Sequence, residues 1–280
     1  MRMDANGVPR EWERMTGEVY RPDYIACYGL ANLGHYLRTN HQEYLTTFLK
    51  QVDWLEKAAT VRQDGAAVWT NDFDYREGSV VLKAPWLSAN TTGFVISTLV
   101  RGWRVSRKNS LLELLNRSNL IFDLNWNKGG IRVPVDDYVL YTEKPGVPAP
   151  GILDGFLRSL LGLYDLAVEL DSLSAKRQLE LGLAGLKRVL PKWDYKGYWS
   201  WYGNHSYLSP PNYHCLNRLL LLVLARLCEE PELSRFAEEW DPSRFSFPRR
   251  SHIYLKFIAT KNWCRFKNRT WKYHTLGEAP

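Results

Sequence analysis

The chain has 280 residues, of which 45% are apolar and 24% charged, and its formal net charge is +7. This composition is typical of a folded globular protein and excludes disordered and collagen-like chains. The longest strongly apolar run, residues 219–225, is too short to cross a bilayer, and no N-terminal export signal is recognisable. We therefore expect a cytoplasmic protein, and four cysteines without metal-ligand spacing agree with a reducing compartment.

Taken in chain order, the apolar spacing predicts eight helices that form four pairs after a short N-terminal extension, residues 1–19. The first helix of each pair is apolar on nearly all sides, as in residues 152–167 and 215–227, which requires cover on several sides. The second helix carries a single apolar stripe, such as Leu45, Phe48, Leu49, Val52 and Leu55. The pattern predicts an all-α domain over residues 20–245.

The pairing favours an (α/α) toroid or incomplete barrel of about four helical hairpins, with inner and outer helices. Glycines within the inner helices lower helix propensity, a cost that close helix packing would explain. Strand patterns occur only in the connections, around residues 67–75 and 131–141, and predict short β-hairpins there.

In such a ring, the segments that enter the inner helices meet at one rim. Four segments rich in polar and aromatic residues occupy these places, and they span residues 20–27, 74–92, 138–154 and 198–214. A cleft lined by them is the expected site.

The second and third rim segments carry charged groups beside helix starts. Lys83 and Trp86 could hold an anion near a helix N-terminus, or could be ordinary surface and helix-start residues. Tyr141, Glu143 and Lys144 place a carboxylate beside an ammonium group, although solvated loop charges are the commoner outcome.

The fourth rim segment concentrates phenols and imidazoles. Tyr202, His205, Tyr213 and His214 are usable proton carriers, and Trp199 lies among them. Each alone could instead pack or cap a helix. No metal or nucleotide motif is present, which predicts chemistry with no cofactor and no metal.

A basic, aromatic C-terminal extension, residues 246–280, follows the helical domain. Residues 249–280 hold eight basic residues and one acidic residue, and this segment therefore carries a formal charge of +7. Such a segment could attract an acidic polysaccharide, an anionic membrane face or nucleic acid, or could be a solvated helix that closes the fold.

The rim segments resemble those of the D-glucuronyl C5-epimerase C-terminal domain family, from about residue 20 to residue 240. The motifs, in the family's order, are PDYIACYGL at 22–30, LKAPWLSA at 82–89, ISTLVR at 96–101, LDGFLRSLLGLYD at 153–165, WSWY at 199–202 and YH at 213–214. The resemblance implies an (α/α)4-type barrel that inverts C5 of a glucuronate residue within a polysaccharide by proton abstraction and re-addition.

The same resemblance implies roles for particular residues. Tyr202, Tyr213 and Glu143 would transfer protons, and protonated His205 would pair with the substrate carboxylate. The residues expected to bind substrate are Lys83, Trp86, Tyr141, Lys144, Trp199 and His214. The chain departs from the family's pattern at Lys144, where the family has tyrosine, at residues 203–205, and at Cys27 and Thr92.

The expected partner is an acidic uronic-acid polysaccharide, with pairing into a homodimer and peripheral membrane contact through the basic extension as further expectations. Nucleic acid is not an expected partner. Two other functions stay open. A uronate polysaccharide lyase would start from the same C5 proton abstraction, and a non-catalytic glycan-binding or assembly subunit would bind without turnover.

Overall fold

A computed structural model describes residues 2–13, 15–77, 80–135, 137–146, 151–203 and 207–267. The α-helices within these ranges are α1 (Pro22–Thr39), α2 (Gln42–Ala58), α3 (Ala89–Ser106), α4 (Asn109–Ser118), α5 (Leu153–Glu169), α6 (Leu173–Trp193), α7 (Pro211–Leu227), α8 (Pro231–Glu239) and α9 (Phe247–Lys267). The all-α class predicted from the sequence is confirmed.

The helices form four consecutive pairs, in which α1 packs on α2, α3 on α4, α5 on α6 and α7 on α8. The first helices of the pairs also pack on one another in the order α1, α3, α5, α7. Side chains from all four line one cavity of about 520 Å³. These four are the inner helices, and their closure into a toroid stays a prediction.

Glycines set the closest helix crossing, which joins α3 and α5. A Cβ atom on Gly162 would lie 2.7 Å from the Cα atom of Gly93, and one on Gly93 would lie 2.8 Å from the Cα atom of Ser159. Real Cβ atoms do not approach so closely, so the two backbones touch only because both positions lack a side chain. The cost of these glycines in helix propensity is thus offset by packing.

The outer helices bury the predicted apolar stripes. On α2, Phe48, Val52 and Leu55 are buried, and on α6 the buried side chains include Leu179, Leu183, Leu186 and Leu190. Ser172 caps the start of α6, since its hydroxyl accepts a hydrogen bond from the Ala175 N–H group at 3.3 Å. Both helices therefore face the core with one side.

Short strands form antiparallel hairpins in the connections. These strands are β4 (Thr60–Val61) with β5 (Ala67–Val68), β6 (Tyr75–Glu77) with β7 (Val80–Leu82), β8 (Arg132–Val135) with β9 (Tyr138–Tyr141), and β10 (Asp194–Tyr195) with β11 (Trp199–Ser200). The β8–β9 hairpin lies where the sequence predicted one.

The expectation that strands occur only in the connections was wrong. Residues 2–19 contain a three-stranded antiparallel sheet of β1 (Arg2–Met3), β2 (Pro9–Glu13) and β3 (Gly17–Val19). Strands of two to five residues are too short to show a clear alternation in the sequence. The sheet packs on the helices, because Val8 belongs to the main core and the Gln51 side-chain amide donates to the Gly7 carbonyl at 3.1 Å.

The last helix, α9, follows a 3-10 turn and packs on a small separate apolar cluster. Ile253 and Phe245 are buried there with Tyr195, Trp199 and Leu208. In the part of the chain that the structure describes, no helix has the length and apolar character needed to cross a membrane.

Candidate functional site

Hydrogen bonds join the N-terminal parts of three inner helices at one rim. The Asn90 amide of α3 donates to the Asp23 carboxylate of α1 at 3.2 Å, and Arg158 of α5 donates to the Asn90 side-chain oxygen at 3.4 Å. Asp23 also accepts two hydrogen bonds from the Arg21 guanidinium, at 3.2 and 2.9 Å. Side chains 67 and 68 positions apart in sequence thus lie in one buried polar chain.

The loop after β9 brings Glu143 and Lys144 to this rim. The Lys144 ammonium is almost fully buried, donates to the Tyr75 hydroxyl at 3.3 Å, and lies 3.7 Å from the Glu143 carboxylate. A Cβ atom on Gly155 would lie 2.7 Å from the Glu143 Cβ atom, so Glu143 packs directly on the first turn of α5. A carboxylate and an ammonium group therefore meet beside a helix N-terminus.

Tyr202 and Tyr213 come together at the start of α7. Their ring centroids are 5.5 Å apart and the ring planes are 86° apart, while Tyr207 stacks on Tyr202 with centroids 5.4 Å apart. Tyr213 is 36% exposed, which leaves part of its ring accessible to a ligand. The two phenols predicted to transfer protons are thus direct neighbours.

Electrostatics link Tyr213 to the loop of Glu143. Burial, followed by the negative charges of Asp154 and Glu143, raises the pKa of the Tyr213 phenol, and the positive charges of Lys144 and Arg158 oppose that rise. These charges act only at short range in a protein that is surrounded by salt solution. Tyr213 of α7 therefore faces the same rim as α1, α3 and α5, and its phenol keeps its proton at neutral pH.

Asp154, in the first turn of α5, is a site residue that the sequence reasoning did not single out. Its side chain is buried, and burial raises the pKa of its carboxyl although Arg158 and Lys144 oppose the rise. Acidic residues are common in the first turn of a helix, so this carboxylate does not stand out in the sequence as a functional residue. Its position beside Tyr213 and Arg158 supplies the signal for a functional role.

The cavity between the inner helices begins near this rim, at Cys27 and Arg158. Cys27 and Arg158 line it together with apolar residues of α1, α5 and α7, and the Arg101–Asp165 ion pair, with a 2.6 Å contact, lies further along its wall. In the described part of the chain, no group of three or more His, Cys, Asp or Glu side chains is arranged to hold a metal ion.

Comparison with known proteins assigns the chain to a family. The profile of the D-glucuronyl C5-epimerase C-terminus matches residues 63–242. The chain belongs to this family. The matched region contains Glu143, Lys144, Tyr202 and Tyr213, so the rim cluster lies within the part that defines the C5-epimerase family.

One relative within the curated proteins is a D-glucuronyl C5-epimerase of Caenorhabditis elegans. It is 29% identical over 220 residues, which is 71% of this chain and 35% of the relative. The chain thus spans about a third of the length of that C5-epimerase.

Two residues predicted to bind substrate in this family lie inside the protein. Tyr141 is buried, its hydroxyl donates to the Gln178 carbonyl at 2.7 Å, and its ring meets Phe122 edge-on. Trp86 is also buried, and its indole N–H donates to the Phe73 carbonyl at 2.8 Å. Their polar groups bind the backbone, which supports structural roles, and the expected contact with substrate stays a prediction.

Trp199 and His214 form a second buried pair. Their rings stack with centroids 3.6 Å apart, and the Trp199 indole donates to the Ser209 carbonyl at 3.0 Å. The His214 Nδ1 atom accepts from the Ser200 N–H group at 3.2 Å, and Nε2 lies 2.9 Å from the Trp240 carbonyl, to which it must donate. Both ring nitrogens are thus engaged within the protein.

Burial lowers the pKa of His214 to about 4, so the ring is neutral at neutral pH. A neutral, enclosed imidazole is suited to fixing the start of α7, where the neighbouring Tyr213 is located. The expected contact of Trp199 and His214 with substrate stays a prediction, while their described contacts are all within the protein.

Of the remaining two predicted site residues, Lys83 lies apart from the cluster and His205 is not described. The Lys83 side chain is 62% exposed and its ammonium donates to Asp74 at 3.2 Å on the β6–β7 hairpin. His205 lies outside the described residues. The rim therefore brings together Tyr202, Tyr213, Glu143 and Lys144.

Proposed function

We propose that this chain inverts C5 of a D-glucuronate-type residue within an acidic polysaccharide, without a cofactor. The observation that carries the proposal is that the charges of Glu143, Lys144 and Arg158 all act on the Tyr213 phenol, in a chain of the C5-epimerase family whose Glu143 and Lys144 form an ion pair. The name of the relative, D-glucuronyl C5-epimerase, points to the same reaction.

Inversion at C5 requires three groups around one sugar ring. A cation must neutralise the C6 carboxylate so that the C5 carbanion can delocalise as an enolate, one group must take the C5 proton, and another must deliver a proton to the opposite face. We assign carboxylate binding to Arg158 and Lys144. No atom is gained or lost, because one proton leaves C5 and one is returned.

Tyr213 is suited to deliver the proton. Burial and the nearby carboxylates raise the pKa of its phenol, so that it enters the reaction protonated. Glu143 then acts as the base that takes the C5 proton, and Tyr202, edge-on to Tyr213, orients the phenol. The two proton-transfer groups exchange roles in the reverse reaction, because epimerisation runs through the same enolate in both directions.

Neutral supports keep these groups in place. The stacked pair of Trp199 and His214 fixes the residue after Tyr213 to the β10–β11 hairpin and to the end of α8. Gly155 lets Glu143 pack on α5 at a distance that any larger residue would forbid. Rigid supports of this kind hold proton-transfer groups at reacting distance.

The test is solvent exchange at C5. The purified chain is incubated in deuterium oxide with polysaccharides that contain glucuronate, and product NMR follows deuterium at C5 and the appearance of the inverted uronate. We expect Tyr213→Phe and Glu143→Gln to lower turnover by about 10²-fold or more. Tyr44→Phe, which changes a tyrosine at the opposite end of the inner helices, should retain activity.

Three outcomes would contradict the proposal. If no glucuronate polymer exchanges deuterium at C5, the chain does not catalyse the proposed reaction. Unsaturated uronate absorbance together with chain shortening would show a lyase. If the parent chain shows no turnover and both variants bind the polymer as tightly as the parent chain, the protein is a glycan-binding subunit.

A further inference from the structure

Helix α9 has one face on the protein and one face in solution. Ile253 is buried against the apolar cluster of Phe245 and Trp199, and Phe257 packs on the same cluster. On the other side, Leu255 is 68% exposed and Ile258 is 51% exposed. A soluble surface helix normally turns its apolar side chains to the core, so this second apolar face calls for a partner.

The exposed face forms a continuous stripe along the helix, which we name the α9 stripe. Ile258 follows Leu255 by three residues and Tyr254 by four, the spacing that keeps side chains on one face of a helix, and Phe266 follows Trp263 by three. The half-exposed or more exposed apolar residues of the stripe are Tyr254, Leu255, Ile258, Trp263 and Phe266. These apolar side chains share the solvent side of α9 with exposed polar side chains, including His252 and Asn262.

The charge of α9 has one sign. Its 21 residues, FPRRSHIYLKFIATKNWCRFK, include six lysine or arginine residues and no acidic residue. By helical geometry, Lys256 lies on one border of the α9 stripe and Arg250 lies on the other. An apolar stripe with cations along both borders fits a partner that is apolar inside and anionic at its surface.

We propose that the α9 stripe lies flat on an anionic membrane surface, with its apolar side chains in the headgroup boundary and its cations against lipid phosphates. Helices of this design bind at the interface without crossing the bilayer. A polysaccharide fits less well, because Leu255 and Ile258 offer no group that could bond sugar hydroxyls. The helix also lies beyond residue 242, where the family match ends, so the profile of the family does not include this surface.

The test is co-sedimentation of the full chain with vesicles. Phosphatidylcholine vesicles with about one third phosphatidylserine should bind the chain, vesicles of phosphatidylcholine alone should bind it at least about tenfold more weakly, and salt should weaken binding. Leu255→Ser with Ile258→Ser, or Arg250→Glu with Lys256→Glu, should lower affinity at least about tenfold.

Matched controls use the same chemistry elsewhere on the surface. Leu37→Ser changes a leucine that is 74% exposed on α1, and Lys50→Glu changes an exposed lysine on α2. Both should leave vesicle binding unchanged. All variants alter exposed or partly exposed positions, and circular dichroism and the melting temperature verify that each is folded.

Other results would overturn the proposal. If the α9 variants bind anionic vesicles as tightly as the parent chain, the α9 stripe does not contact the membrane. The chain could instead fail to bind either vesicle and form a dimer in sedimentation velocity. If Leu255→Ser with Ile258→Ser dissociates that dimer, the α9 stripe binds a second copy of the chain. Weaker binding of the α9 variants to a uronate polymer, with vesicle binding unchanged, would assign it to the glycan.

Discussion

Protonation of His214 should destabilise the fold at mildly acid pH. The ring is fully buried, stacked on Trp199, and holds the Ser200 N–H group and the Trp240 carbonyl through its two nitrogens. A proton on Nδ1 would remove the acceptor that Ser200 uses and would place a charge in an apolar environment. Burial, assisted by the charge of Arg218, accordingly lowers the pKa of His214 from 6.5 to about 4.

The sign and size of the contribution that His214 makes to the free energy of unfolding follow from the linkage between protonation and folding. Because the folded state lowers the pKa, the unfolded chain binds the proton more readily, and the contribution to stability is complete above pH 6.5. It declines as the pH falls from 6.5 and is lost once the pH is below about 4. At about 1.4 kcal/mol per pKa unit, the contribution is about 3 kcal/mol of unfolding free energy.

Urea unfolding at a series of pH values, from about 7 to about 4.5, measures this contribution. His214→Gln keeps a neutral donor but does not titrate in this range, so its stability should fall less steeply with acid than that of the parent chain. His252→Gln, which changes an exposed histidine on α9, should retain the slope of the parent chain. Parallel loss of stability in the parent and His214→Gln would refute the reasoning.

Two further predictions concern the helix crossing and the site. Gly93→Ala should destabilise the chain by about 1–3 kcal/mol in urea unfolding, because the new Cβ atom would lie 2.7 Å from the Arg158 carbonyl carbon. Gly34→Ala should leave stability unchanged or raise it, because the new Cβ atom would meet only the Arg38 guanidinium, at 3.6 Å. Equal changes of stability in Gly93→Ala and Gly34→Ala would contradict this explanation. Asp154→Asn removes a charge that raises the pKa of Tyr213, so the alkaline limb of the pH–rate profile should move to lower pH. If the alkaline limb does not move, the charge of Asp154 does not affect the pKa of Tyr213.

The helical architecture could be predicted because its signals repeat. Stripes such as that of Phe48, Val52 and Leu55 recur in each outer helix, and the glycines of α3 and α5 mark the close crossing at Gly93 and Gly162. Patterns of this kind extend over whole helices and tolerate local exceptions. The short β1–β3 sheet has no comparable repeat, and it escaped prediction.

Individual roles at the rim were harder to predict, because the sequence does not reveal whether the ring of a tyrosine is buried or exposed. Tyr141 and Tyr213 both stand in loop-to-helix segments rich in polar residues, yet the hydroxyl of Tyr141 reaches the Gln178 carbonyl inside the protein while Tyr213 is 36% exposed. Which of the two is buried depends on the path of β9 beneath α6, a tertiary feature. Asp154 was overlooked for the opposite reason, since it resembles an ordinary helix-start residue.

The arrangement of charges at the rim indicates where a uronate carboxylate would bind. Asp23 is matched by two hydrogen bonds from Arg21, and Glu143 lies near the Lys144 ammonium. Arg158 instead donates to a neutral amide, that of Asn90. Arg158 also lines the cavity between the inner helices. A carboxylate placed there would pair with Arg158 and bring C5 of its sugar toward Tyr213 and Glu143, whose charges act on the same phenol.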